Sequence, residues 1–122
     1  MTSPTRPASE RNDVFDVLQV ARGTELEDIV GADVVGVEPH SVSQIHRHNL
    51  AETVLFILAG SGTVRAGDED VPVREGDRLL IPKGTYHGVR TGAEALRFLS
   101  VQSPPILNRA RDTLDLEPLE EE

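Results

Sequence analysis

His46 and His48 stand two residues apart in the stretch Gln44-Ile45-His46-Arg47-His48-Asn49-Leu50-Ala51-Glu52, and His87 closes a second stretch, Gly76 to His87. Side chains at i and i+2 of a β-strand leave the same face, so the first two imidazoles form a pair. Neutral imidazole is a common ligand for zinc, copper, iron and nickel. An isolated pair of this kind is usually a solvated strand face. A third histidine delivered to the pair would make it a metal site.

The elements around these residues read as short strands. Val14 to Val20, Ile29 to Val37, Val42 to His48, Thr53 to Ala59, Arg78 to Ile81, Tyr86 to Arg90 and Ala95 to Val101 are rich in apolar and β-branched residues. Gly60-Ser61-Gly62, Glu75-Gly76-Asp77, Pro82-Lys83-Gly84 and Thr91-Gly92-Ala93 read as turns between them, and Gly67 to Asp70 as the tip of a hairpin. Many short strands punctuated by turns imply an all-β sandwich or barrel. Residues 1–12 carry two prolines and few apolar groups and read as a loose arm. After Ser103 the composition changes, with a short helix expected over Asn108 to Leu114 and a solvated, frayed acidic tail over Glu117 to Glu122.

Together the two histidine segments resemble the two motifs of the cupin superfamily. The first family motif is a glycine, five residues, HxH, three or four residues, a glutamate, six residues and a glycine. The second is a glycine, five residues, PxG, two residues, a histidine, three residues and an asparagine. Gly76, Pro82, Gly84 and His87 fit the second at every spacing, with Thr91 in the place of the asparagine. In the first, His46 and His48 fit, and His40 stands where the leading glycine is usual. Glu52 is correctly spaced from His48, but counting back from Gly60 puts Thr53 in its place. Both registers stay open at this point.

The resemblance implies a double-stranded β-helix, or jelly-roll barrel, over residues 13–103, with an N-terminal arm and a C-terminal extension over 104–122. It implies one divalent transition metal (Fe, Mn, Ni, Cu or Zn) held by His46, His48 and His87, with Glu52 as a fourth ligand if it points inward. It also implies a homodimer. Deprotonated imidazoles are needed for such a site, so metal affinity is expected to fall below about pH 6. Gln44 shares a face with His46 and is a candidate for substrate contact. Tyr86, beside His87, is another, provided the Pro-x-Gly turn distorts the strand. Phe56 is a third, with core packing as the alternative. Gln102 and Arg97 are weaker candidates, and His40, after Pro39 in a turn, is expected to be exposed.

The 122 residues suffice for one domain with a core, and the net charge of −9 argues against nucleic acid or an anionic membrane as partner. With no cysteine there are no thiolate ligands or nucleophiles. No apolar run approaches transmembrane length and the start lacks a signal-peptide core, so a cytoplasmic location is expected. Three Phe, one Tyr and no Trp argue against a stacking platform for bases or sugars. The functional expectation is a small-molecule cupin: a dioxygenase-like oxidoreductase first, with a metal-dependent isomerase or lyase, or a non-catalytic binding or sensing module, as alternatives.

Overall fold

A computed structural model describes residues 3–108 and 113–120. Twelve strands run through them: β1 (Ser9–Asn12), β2 (Phe15–Gln19), β3 (Gly31–Val37), β4 (His46–Arg47), β5 (Glu52–Ala66), β6 (Glu69–Arg74), β7 (Arg78–Ile81), β8 (His87–Arg90), β9 (Leu96–Ser103), β10 (Leu107–Asn108), β11 (Thr113–Leu114) and β12 (Glu117–Pro118). No helix occurs among the described residues, and the all-β expectation holds. Ten of these strands belong to one curled sheet whose path is β1-β2-β3-β9-β5-β8-β4-β12, with β6 and β7 also on β5.

The two walls of the barrel share β5. Its first half, Glu52 to Gly60, pairs antiparallel with β9 and β7; its second half, Ser61 to Ala66, pairs with β6 and β8. Gly60-Ser61-Gly62, expected as a turn, therefore lies inside one continuous strand. The glycines there let the strand cross a corner at close quarters. Gly60 has φ +78°, and a Cβ on it would fall 1.8 Å from the Ala95 carbonyl oxygen. An extra residue in β5 between Ile57 and Ala59 adds a bulge just before the corner.

Alternation then decides what faces inward. In β9, Leu96, Phe98, Ser100 and Gln102 are buried, while Arg97 and Ser103 are exposed. In β5, Thr53, Leu55 and Ile57 are buried on the inner face. These join Val35, Val37, Val64, Val73, Ile81 and Val89 in a single core between the walls. Ile57, Ile81, Leu96 and Val64 are the largest fully buried side chains, each contributing roughly 1.5–3 kcal/mol of burial free energy.

The termini differ from expectation. The loose arm expected over residues 1–12 contains β1, which pairs with β2 across a tight turn at Asp13, φ +55°. Its residues are all exposed, so backbone pairing rather than apolar burial holds it. The helix expected over Asn108 to Leu114 falls in part on residues 109–112, outside the described residues. The flanking strands Leu107–Asn108 and Thr113–Leu114 pair antiparallel with each other. The acidic segment does not simply hang in solvent: Glu117–Pro118 pairs with His46–Arg47.

Gly60→Ala should destabilise the fold by at least about 2 kcal/mol in urea titration, because left-handed backbone and a backbone clash coincide there. Gly92→Ala, where a Cβ meets nothing within 4 Å, serves as the near-neutral control.

Candidate metal centre

Three short elements deliver the three imidazoles. Residue His46 of β4 stands directly opposite His87 of β8 in an antiparallel pair. His48 follows two residues after His46, just beyond the strand, and its carbonyl accepts a 2.7 Å hydrogen bond from the Gly84 N–H. That bond ties the Pro-x-Gly turn to the HxH segment. The ring centroids lie 4.6 to 5.0 Å apart, inclined to one another by 52 to 66°.

Two of the rings have their tautomers set by the backbone. The Nδ1 of His48 lies 2.7 Å from the Asp115 carbonyl oxygen, and the Nδ1 of His87 lies 2.9 Å from that of Thr85. A carbonyl only accepts, so both Nδ1 atoms carry the proton and both Nε2 atoms present a lone pair. One nitrogen from each of the three rings falls within 4.8 Å of the others. Imidazole ligands about 2.1 Å from one ion lie at most about 4.2 Å apart, so small side-chain rotations suffice to bring all three onto one metal. The donor set is neutral nitrogen only, which suits Zn, Cu, Fe or Ni.

Burial disfavours the charged form of His46 and His87. Desolvation, reinforced by repulsion from His87 and His48, pushes the pKa of His46 down to about 4 against a hydrogen bond with the Gln44 backbone. Desolvation likewise pushes His87 down to about 4, opposed by its bond to Thr85 and reinforced by His48. Proton competition at these two ligands therefore begins well below the pH of about 6 expected for solvated imidazole.

The second layer comes from a segment that sequence reading had left to solvent. The Asp115 carboxylate accepts three backbone N–H groups, those of Asn49, Leu50 and Ala51, at 2.7 to 3.0 Å, while its carbonyl orients His48. Glu117 accepts from Arg47 and Asn49. The loop carrying His48 is thus bolted to the strand pair formed by β4 and β12. Nothing in spacing or periodicity marks Asp115, because its role depends on contacts made across the fold.

The fourth position of the motif is settled by register. Thr53 is 3% exposed and faces the cavity; Glu52 points outward, where its carboxylate accepts a 3.0 Å bond from the Lys83 N–H. Glu52 is therefore not among the converging groups, and of the two registers the sequence left open the structure takes the one with Thr53 inward. The alternation of β5 is the reason: Leu55 and Ile57 are inside, so odd-numbered Thr53 is inside and Glu52 is out.

The histidines line one side of a cavity of about 410 Å³ inside the barrel. Gln44 also lines it, as expected, and so does Gln102. Phe56 does not: it is 41% exposed on the outer face of β5, between inward Leu55 and Ile57. Tyr86 also faces away, since His87 next to it faces in; the Arg47 guanidinium sits 4.7 Å above the tyrosine ring outside the cavity. Residue His40 is exposed, in a turn with φ +57°. Thr91 clamps that turn, donating to the Glu38 carbonyl and accepting from the Ser41 N–H. A cavity residue that sequence reading missed is Asp33, on the face of β3 shared by buried Val35 and Val37.

His48→Ala and His87→Ala should each abolish stoichiometric binding of Zn(II) or Fe(II), read by elemental analysis after gel filtration, whereas Glu52→Ala should leave it intact. Asp115→Ala keeps the carbonyl but removes the carboxylate clamp on the His48 loop, and should weaken affinity about 10- to 100-fold in chelator competition, as loss of an outer support does. Metal-free protein should lose stability as pH falls from 6.5 towards 4. In that window the unfolded chain binds protons on His46 and His87 that the folded chain refuses; above 6.5 the two rings make no difference. The full effect is on the order of a few kcal/mol. Asp33, held above its ordinary pKa by burial, works with the opposite sign. A double His46→Gln, His87→Gln variant should flatten the slope, and an unchanged slope would refute the assignment.

The chain matches the cupin domain family over residues 33–102. It is 29% identical over 76 residues to an uncharacterised protein of Methanocaldococcus jannaschii, a match covering 62% of this chain and 61% of that one. It is 33% identical over 64 residues to the oxalate-binding protein of Thermotoga maritima, covering 52% and 53%. The aligned parts thus span less than two thirds of these relatives. Among solved structures, Pac13, a nucleoside dehydratase, superposes with a TM-score of 0.75 at 14% identity, covering 98% of this chain and 92% of that one. A variant of Streptomyces Pac13 with uridine superposes equally well. The two walls, the shared strand and the motif residues at their observed positions agree with the family match, and the chain belongs to the cupins.

Proposed function

We propose that this cupin binds one divalent transition metal ion through His46, His48 and His87 and acts on a small oxygen-bearing molecule inside the barrel, by a dioxygenase-like oxidation. The convergence of three imidazoles on the cavity, two of them buried and His46 half-buried, carries the reading. When bound, the ion supplies Lewis acidity, and iron or copper adds one-electron chemistry toward dioxygen. The chain's own contribution is positional. Thr85 and the Asp115 carbonyl fix the tautomers of His87 and His48. A donor set without carboxylate leaves coordination positions free for a ligand, and the walls of Leu55, Val89 and Phe98 limit water around it. The oxalate-binding relative and the uridine-bound neighbour support a small, oxygen-rich ligand.

Asp33 favours a second reading, a lyase or isomerase, because a cavity carboxyl group can give or take a proton where redox chemistry is not required. Oxygen uptake by the Fe(II)-loaded protein, followed across hydroxy acids, keto acids and nucleosides, separates the two. Consumption that vanishes in His87→Ala is the expected result. Turnover undiminished without oxygen would replace it with the second reading. Tight binding with no turnover under either condition would make the protein a binding module.

A further inference from the structure

The wall of the cavity contributed by β3, β9 and β5 is not uniformly apolar. Asp33 of β3 pairs directly with Ser100 of β9, and Gln102 of β9 pairs with Thr53 of β5. All four side chains line the cavity. The Gln102 amide donates to the Ser100 hydroxyl oxygen and, at 3.5 Å, to an Asp33 carboxylate oxygen. The Ser100 hydroxyl accepts from Gln102, which leaves its proton available. The Thr53 hydroxyl is buried and has no hydrogen-bond partner at all, alone among the buried side-chain polar atoms of the described residues. A buried hydroxyl without a partner costs on the order of 1–3 kcal/mol, so its natural complement is a group that enters the cavity.

We propose that Asp33, Ser100, Gln102 and Thr53 form a subsite for the neutral, hydrogen-bonding end of the ligand, a hydroxyl or primary amide. The inference rests on the reading that this cavity is the ligand site. The Thr53 and Ser100 hydroxyls and the Asp33 carboxyl stand along that wall. They match a group that both donates and accepts, which a hydroxyl or amide does and a carboxylate does not. A second carboxylate would also meet Asp33 in a desolvated place, with Glu10 and Asp13 elsewhere on the cavity wall and Arg22 as a cation there. Burial already holds the Asp33 carboxyl above its ordinary pKa, with Gln102 and Arg22 pulling it back and Glu10 adding to the rise. Oxalate, the ligand named for the Thermotoga relative, has no such neutral end.

Isosteric probes decide the matter. Succinamate and succinate differ only in amide against carboxylate at one end. Zn(II)-loaded protein should bind succinamate about tenfold more tightly or better by calorimetry. Asp33→Asn and Thr53→Val should each shrink that ratio towards one, with metal stoichiometry unchanged. Propanamide and 1,3-propanediol need no metal. In ¹H–¹⁵N spectra of metal-free protein they should shift the backbone amides of Thr53 and Ser100 and the Gln102 side-chain amide. Succinate bound as well as succinamate, or a preference that survives both substitutions, would overturn the subsite. So would neutral probes that leave those resonances unmoved. Loss of metal binding alone, with the neutral probes still seated, would instead overturn the metal reading and leave the subsite standing.

Discussion

Three imidazoles with ring centroids 4.6 to 5.0 Å apart crowd one another least when uncharged, and much of the surrounding architecture answers to that constraint. A charged ring would face two others within about one ring diameter in a poorly solvating cavity. Neutrality leaves each ring one N–H to satisfy. For His48 and His87 the satisfaction comes from backbone carbonyls, which fix the orientation along with the tautomer. One nitrogen of each ring then falls within 4.8 Å of the other two. A preformed donor set of neutral imidazoles loses little on meeting a cation, because no proton has to leave first.

Strand β5 makes this arrangement compatible with a core. One half builds the wall of Asp33, Ser100 and Gln102 by pairing with β9; the other half pairs with β8, which carries His87. Because the bulge and the glycine corner change the inward parity along the strand, odd-numbered Thr53, Leu55 and Ile57 and even-numbered Val64 all reach the interior. The apolar and polar walls of the cavity are thus two stretches of one strand environment, and the histidines are carried where the second stretch meets the HxH segment.

The histidines and the all-β class were legible because both depend on local pattern: two-residue spacing, Pro-x-Gly geometry, turn residues between apolar runs. The fourth ligand position was not, because two counts through the same motif disagreed and only pairing partners fix parity. The outward faces of Phe56 and Tyr86 were hidden for the same reason, each lying one residue from an inward side chain. Asp115 and Glu117 could not be found, since an acidic segment reads as solvated unless its N–H partners are known. Asp33 sits in a run of Val and Gly whose inward face is set by β9, not by composition.

His48 takes its ring orientation from a carbonyl 67 positions further along the chain. A chain cut before Asp115 would keep the barrel walls and all three imidazoles, yet lose the group that holds one of the rings in place. The far end of the sequence is thus part of the site's geometry without contributing a side chain to it.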